Sequence, residues 1–219
     1  LQASHVFIED DLAFVSYKTK GPKYLGGIEV FDISNIEAPS LIYQLIVEGT
    51  DYSSIYYEAG KIYLAGATEN VEDLDLNSNA ILEIIEYPVT EEQKSSIVDI
   101  SSFTATDVKV HGENIYISSG SHGGLTILDK NTLEEVKAIG MDDARSIAFN
   151  ETYFAVMQGT PARVKIYQIA DNAYVSGFNV GGAEIPESKS ILSMSQDKLY
   201  VPVGRDGLKI IDINDGNVL

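Results

Sequence analysis

The stretch Gly26–Ile36, GGIEVFDISNI, decides how the chain is read, because its core returns four more times. IEVFDI (Ile28 to Ile33) is followed by LEIIEY (Leu82 to Tyr87), LTILDK (Leu125 to Lys130), VKIYQI (Val164 to Ile169) and LKIIDI (Leu208 to Ile213). Each copy runs apolar, polar, apolar, apolar, polar. The first residues, at 28, 82, 125, 164 and 208, are 54, 43, 39 and 44 residues apart. A period near forty is that of one four-stranded propeller blade.

Working outward, each copy is preceded by two β-rich runs joined by a polar turn, the signature of a hairpin. HVFIE and LAFVSY flank Asp10-Asp11, SIYYE and KIYLAG flank Ala59-Gly60, and DVKV and NIYISS flank His111-Gly112. SIAF and YFAVM surround Asn150-Glu151, and ILSM and KLYVPV surround Gln196-Asp197. Phe14, Tyr63, Tyr116, Phe154 and Tyr200 recur in the second run, where an aromatic is expected to wedge one blade against the next. After the core pattern comes a turn and, in most units, a further β-prone run such as Ser34 to Val47 or Asn131 to Gly140. The prediction is an all-β fold, a β-propeller of four-stranded antiparallel blades with five units visible. They run approximately over 1–49, 50–104, 105–141, 142–185 and 186–219 as a single domain, the last lacking its fourth strand. No segment carries helical periodicity for three turns, and Thr90 to Ile100 is expected to be a loop or a single helical turn.

The second unit is stretched by TENVEDLDLNSN (Thr68 to Asn79) and PVTEEQKSS (Pro88 to Ser96), and extra length in a regular array marks a variable and often working loop. Two readings stay open for the ring: five blades with a three-stranded last blade, or part of a larger ring. The second is preferred, because full closure is how propellers remove open edges, and a chain that begins at Leu1 reads as a processed or excised piece.

A formal charge of -18 with 33 acidic and 15 basic residues leaves no basic stripe for nucleic acid or an anionic membrane surface. No apolar run reaches the length of a membrane helix, so no membrane insertion is expected. The absence of cysteine excludes disulfides, thiolate nucleophiles and Cys-based metal sites.

LAFVSY with GGIEVFDISNIEAPSLI, NIYISSGSHGGLTILD, and KLYVPVGRDGLKIIDIND resemble the LVIVD-repeat family. Its unit is similar: a Tyr-containing strand, a short loop, then Gly-Leu and a β-run ending in Asp. The second unit departs with Glu86 and the fourth with Gln168 and no Gly pair. The resemblance implies a propeller among exported or cell-surface proteins of bacteria and archaea, in the periplasm or on the surface. It implies no shared catalytic residue.

Asp32, Asp129 and Asp212 end strands before turns, where Asp bonds its own backbone two residues on; a structural role is expected. Gly26-Gly27, Gly123-Gly124 and Gly207 are expected to provide positive φ for tight loops. His5, His111 and His122 are too scattered for a metal site. Asp73, Asp75 and Asn77 alternate like the donors of a calcium loop, although Ser78 and Ile84 stand where an EF-hand needs Gly and Glu. The best ligand-binding candidates are on the face of second-to-third-strand loops: Tyr24, Tyr52, His122, Arg145 and Arg205, where aromatics and both charge signs suit a protein or glycan partner. A non-catalytic binding module follows. The alternatives are a propeller hydrolase with a site at the channel mouth, with calcium assisting, and an assembly block whose last blade takes a donated strand.

Overall fold

Alternating apolar and polar residues on either side of short polar turns close five antiparallel hairpins, and every hairpin extends into a meander. The computed structural model describes residues 1–90, 95–120, 122–180, 191–204 and 207–218. Every regular element among them is a strand. The first sheet runs β1 (Gln2–Glu9), β2 (Leu12–Lys18), β3 (Leu25–Asp32), β4 (Ser40–Glu48), and the second β5 (Thr50–Glu58), β6 (Lys61–Thr68), β7 (Ala80–Glu86), β8 (Ser96–Asp99). The third runs β9 (Ala105–His111), β10 (Asn114–Ser119), β11 (Gly124–Asp129), β12 (Glu135–Gly140). The fourth runs β13 (Ala144–Phe149), β14 (Tyr153–Gln158), β15 (Arg163–Gln168), β16 (Tyr174–Asn179), and the fifth β17 (Ser193–Ser195), β18 (Lys198–Pro202), β19 (Leu208–Asp212). The sheets are therefore of three or four strands, each pairing in chain order.

Local chemistry sets the turns. Ala59 and Gly60, with φ of 49° and 79°, take the left-handed conformations that a two-residue hairpin turn demands. The repeated aspartates act as expected: Asp32 Oδ1 accepts from Ser34 N at 2.9 Å, Asp129 Oδ1 from Asn131 N and Thr132 N at 2.8 Å, and Asp212 Oδ1 from Asn214 N at 2.9 Å. After the last of these turns Val218 makes a single antiparallel bridge back to Ile211.

The sheets stack in chain order, chiefly through their first two strands: β1 and β2 touch β5, β5 and β6 touch β9, β9 and β10 touch β13, and β13 touches β17. One apolar layer fills each junction. Phe14, Ile28 and Val30 meet Ile55, Ile62 and Leu64; Tyr63, Leu82 and Ile84 meet Val108, Ile115 and Ile117. Tyr116, Leu125 and Ile127 then meet Ile147, Phe154 and Val156, and Ala155, Val164 and Ile166 meet Leu199, Val201 and Ile211.

Three expectations are corrected. Ser96–Asp99, inside the segment expected to be a loop or helical turn, is β8, paired with β7. Phe154 faces the third sheet, not the fifth: the register pairs Ala155 with Ala148 where Tyr116 pairs with Lys109, and a one-residue offset reverses the face. Gly26 and Gly27 have no positive φ. They lie inside β3, where a Cβ would run into the backbone carbonyl oxygens of Thr50 and Leu45 respectively. Gly124 and Gly207, with φ of 148° and 84°, do have the expected conformation, whereas Gly123 has no positive φ.

Candidate functional site

The meander puts the second-to-third-strand connections and the links between sheets at one end of the array. There the segment from Thr19 to Leu25 is tied to the second sheet by Asp51. Its Oδ1 accepts from Thr19 N at 2.9 Å and Leu25 N at 3.2 Å, and Thr19 Oγ1 donates to the same carboxylate. Tyr24 is half-buried beside it, its amide 3.3 Å from Glu69 Oε1. Tyr52 is fully buried and its hydroxyl donates to Glu83 Oε2. Burial first, then the Glu83 charge, pushes the phenol pKa upward. Tyr52 therefore supports the junction from within and presents no surface to a ligand.

Arg145 lies over Gly159 and forms a two-pronged ion pair with Asp143, Nε to Oδ1 and Nη2 to Oδ2, both at 2.7 Å. Its charge is thus matched within the chain. Arg205 lies outside the described residues. Asp73 and Asp75 are exposed, while Asn77 is turned away toward Asp99, whose Oδ2 accepts from Asn77 N and Nδ2 at 3.0 Å. Burial raises the Asp99 pKa, but hydrogen bonds from Ser78 and Asn77 outweigh it and hold the carboxyl below its ordinary value. Among the described residues no three His, Asp or Glu side chains gather as metal ligands.

His122 is exposed, with φ of 65°. Phe103 stands edge-on to it, ring centroids 6.0 Å apart, and is 63% exposed. The pair sits beside the acidic loop, because Ser78 Oγ donates to Ile100 O at 2.6 Å and Ala80 N to Ser102 O at 3.2 Å. Phe103 was not among the sequence candidates. Its signal is a lone aromatic between serines and threonines, SSFTAT, outside any alternating run.

A second polar constellation runs along the first strands. His5, Ser54, Asp107 and Ser146 each follow a β-bulge and each reaches the next sheet. His5 Nδ1 is 3.0 Å from Ile55 O and 3.2 Å from Ile55 N, donating to the one or accepting from the other according to tautomer. Ser54 Oγ donates to Asp107 Oδ1 at 2.7 Å, Ile147 N donates to Asp107 Oδ2 at 2.9 Å, and Leu192 N donates to Ser146 Oγ at 3.0 Å. Burial, then the Lys109 ammonium, lowers the His5 pKa from its ordinary 6.5. Lys109 itself lies 3.5 Å from Asp107 and 5.6 Å from the centre of the Tyr56 ring. It lines an open cleft of about 260 Å³ with His111, Phe149, Leu192 and Met194. His111 stacks on Phe149 at 4.9 Å, at the hairpin end, whereas His122 lies at the loop end. The histidines do not converge.

No family model matches the chain, and no curated protein matches it. The fold is shared. The crystal structure of the computationally designed Ika8 protein superimposes with a TM-score of 0.65 at 7% identity, over 95% of this chain and 70% of that one. At that identity the likeness concerns architecture alone.

Proposed function

We propose that the five sheets are blades of a β-propeller and that the chain is a non-catalytic binding module taking a protein or glycan partner on its loop face. The stacking of successive three- and four-stranded antiparallel sheets through their first strands supports the architecture. The exposed Phe103–His122 pair carries the binding reading. An aromatic face held clear of the core beside polar loops stacks on a sugar ring or fills a pocket on a protein. Asp51, Asp99 and Asp143 on the same end are saturated by hydrogen bonds or an ion pair, which favours recognition over acid–base chemistry. The resemblance to the LVIVD repeats favours an exported, cell-surface setting for such a module.

The test is an oligosaccharide array followed by titration of the strongest responder. Phe103→Ala is expected to weaken binding by roughly tenfold to thirtyfold, as for a central aromatic anchor. Unchanged affinity in that variant would remove this face as the site. A silent array with intact protein removes the glycan arm and leaves a protein partner, to be read with the same variant.

A further inference from the structure

The first strands carry a row of side chains that the fourth sheet interrupts. Opposite Phe14, Tyr63 and Tyr116 of the second strands stand Phe7, Tyr56 and Lys109, and opposite Ala155 stands Ala148. The row is continuous as far as Lys109: the Phe7 and Tyr56 rings are 4.6 Å apart, and the Lys109 ammonium is 5.6 Å from the centre of the Tyr56 ring. At Ala148 the side chain shrinks to one methyl group, and there the cleft of about 260 Å³ opens. Its cationic and aromatic groups, Tyr56, Lys109, His111 and Phe149, all come from the second, third and fourth sheets, so its chemistry is set inside the array.

We propose that this cleft binds a small aromatic monocarboxylate, its ring taking the place in the row that Ala148 leaves empty and its carboxylate meeting Lys109. The lining suits a ring: Phe149, with His111 stacked on it at 8° between the planes, Leu192 and the Met194 thioether are apolar or polarisable surfaces. The polar group with capacity to spare is a donor. Asp107, 3.5 Å from the Lys109 ammonium, already accepts from Ser54 Oγ, Val108 N and Ile147 N, so the ammonium keeps N–H groups for a further acceptor. The Lys109 side chain is only 18% exposed, and a charge-assisted hydrogen bond gains strength as water is withdrawn. A single negative charge fits best, because a doubly charged phosphate would be repelled by Asp107 and by the formal charge of -18, and a cation by the ammonium. The cleft is smaller than the roughly 300–1,000 Å³ of sites for drug-sized ligands, which limits the occupant to about one ring. It lies at the hairpin end, whereas Phe103 and His122 lie at the loop end, so the two sites stand or fall separately.

Titration with benzoate and phenylacetate, followed by the methionine methyl signals in NMR spectra, tests the proposal. Met194, in the cleft, should shift and saturate with a Kd on the order of 1 mM, while Met141, buried at the loop end, stays in place. Phenylacetamide, which keeps the ring and loses the charge, and phenethylamine, which reverses the charge, should each bind about tenfold more weakly or worse. Lys109→Gln is expected to erase the preference for the acid over the amide. Ala148→Leu, which extends the row into the cleft, should abolish binding of both. Lys61→Gln, removing the same charge from an exposed position at the same end, should bind like wild type. Circular dichroism verifies folding of each variant, and Lys109→Gln decides the matter if Ala148→Leu does not fold. The proposal is overturned if neither acid saturates the Met194 signal, if the amide or the amine binds as well as the acid, or if Lys109→Gln leaves the preference intact.

Discussion

Asp107 joins three sheets with one carboxylate: it belongs to the third, accepts from Ser54 of the second, and accepts from Ile147 N of the fourth. Asp107→Ala leaves a buried amide and hydroxyl without that acceptor, an expected loss of about 2–4 kcal/mol, against about 1 for Ser54→Ala, read from urea denaturation. His5 makes stability depend on pH. Its folded pKa lies below 6.5, so the unfolded chain binds the proton first, and stability falls as pH drops from about 6.5 toward the folded value and then levels. Asp99 and Asp129, whose folded pKa values are depressed, contribute stability above the unfolded carboxyl pKa of about 3.9 and lose it as pH falls through their folded values. Thermal melts should therefore show two acid-side declines, with His5→Gln removing only the upper one. The turn role of Asp32, Asp129 and Asp212 was legible in sequence because their acceptor geometry closes within three residues. Asp107 was not, because its partners lie 53 and 40 residues away, and nothing local distinguishes it from a surface acid.

Strands were legible for the same reason that turns were: alternation and punctuation are local. Where the reading slipped, neighbouring structure decided. The fourth-sheet hairpin turns around Glu151-Thr152, with Asn150 N donating to Tyr153 O at 3.0 Å, one residue later than the sequence suggests, and that shift moved Phe154 to the opposite face. Ser96–Asp99 became a strand because β7 offers it an edge, a long-range opportunity that propensity does not record. Gly27 shows a similar override, small because β4 passes close and not because the backbone turns. Gly27→Ala would force its Cβ against the Leu45 carbonyl oxygen, and since both groups are fixed in the ladder, a loss of roughly 1–3 kcal/mol is expected in denaturant titrations. Gly207→Ala would meet open space and would be strained only through its φ of 84°.

At the scale of the molecule, the period near forty residues announced five stacked β units, and five sheets stack. The candidate surface was less visible. Tyr24 and His122 do lie at the loop end, but Tyr52 is interior and Arg145 is spent on Asp143, because side-chain burial and pairing depend on neighbours that a linear pattern leaves unspecified. Exposure of Phe103 is likewise a property of the assembled loops. The layers between sheets have one further meaning. Each unit brings a leading and a trailing half of an apolar contact, with aliphatic side chains at corresponding register positions and Ala155 of the fourth sheet standing where Phe14, Tyr63 and Tyr116 stand in the others. Gain or loss of one whole unit by gene duplication or deletion would still set aliphatic side chains against aliphatic side chains at the new junction, whereas loss of the third unit would also remove the Asp107 carboxylate that ties Ser54 and Ile147 together.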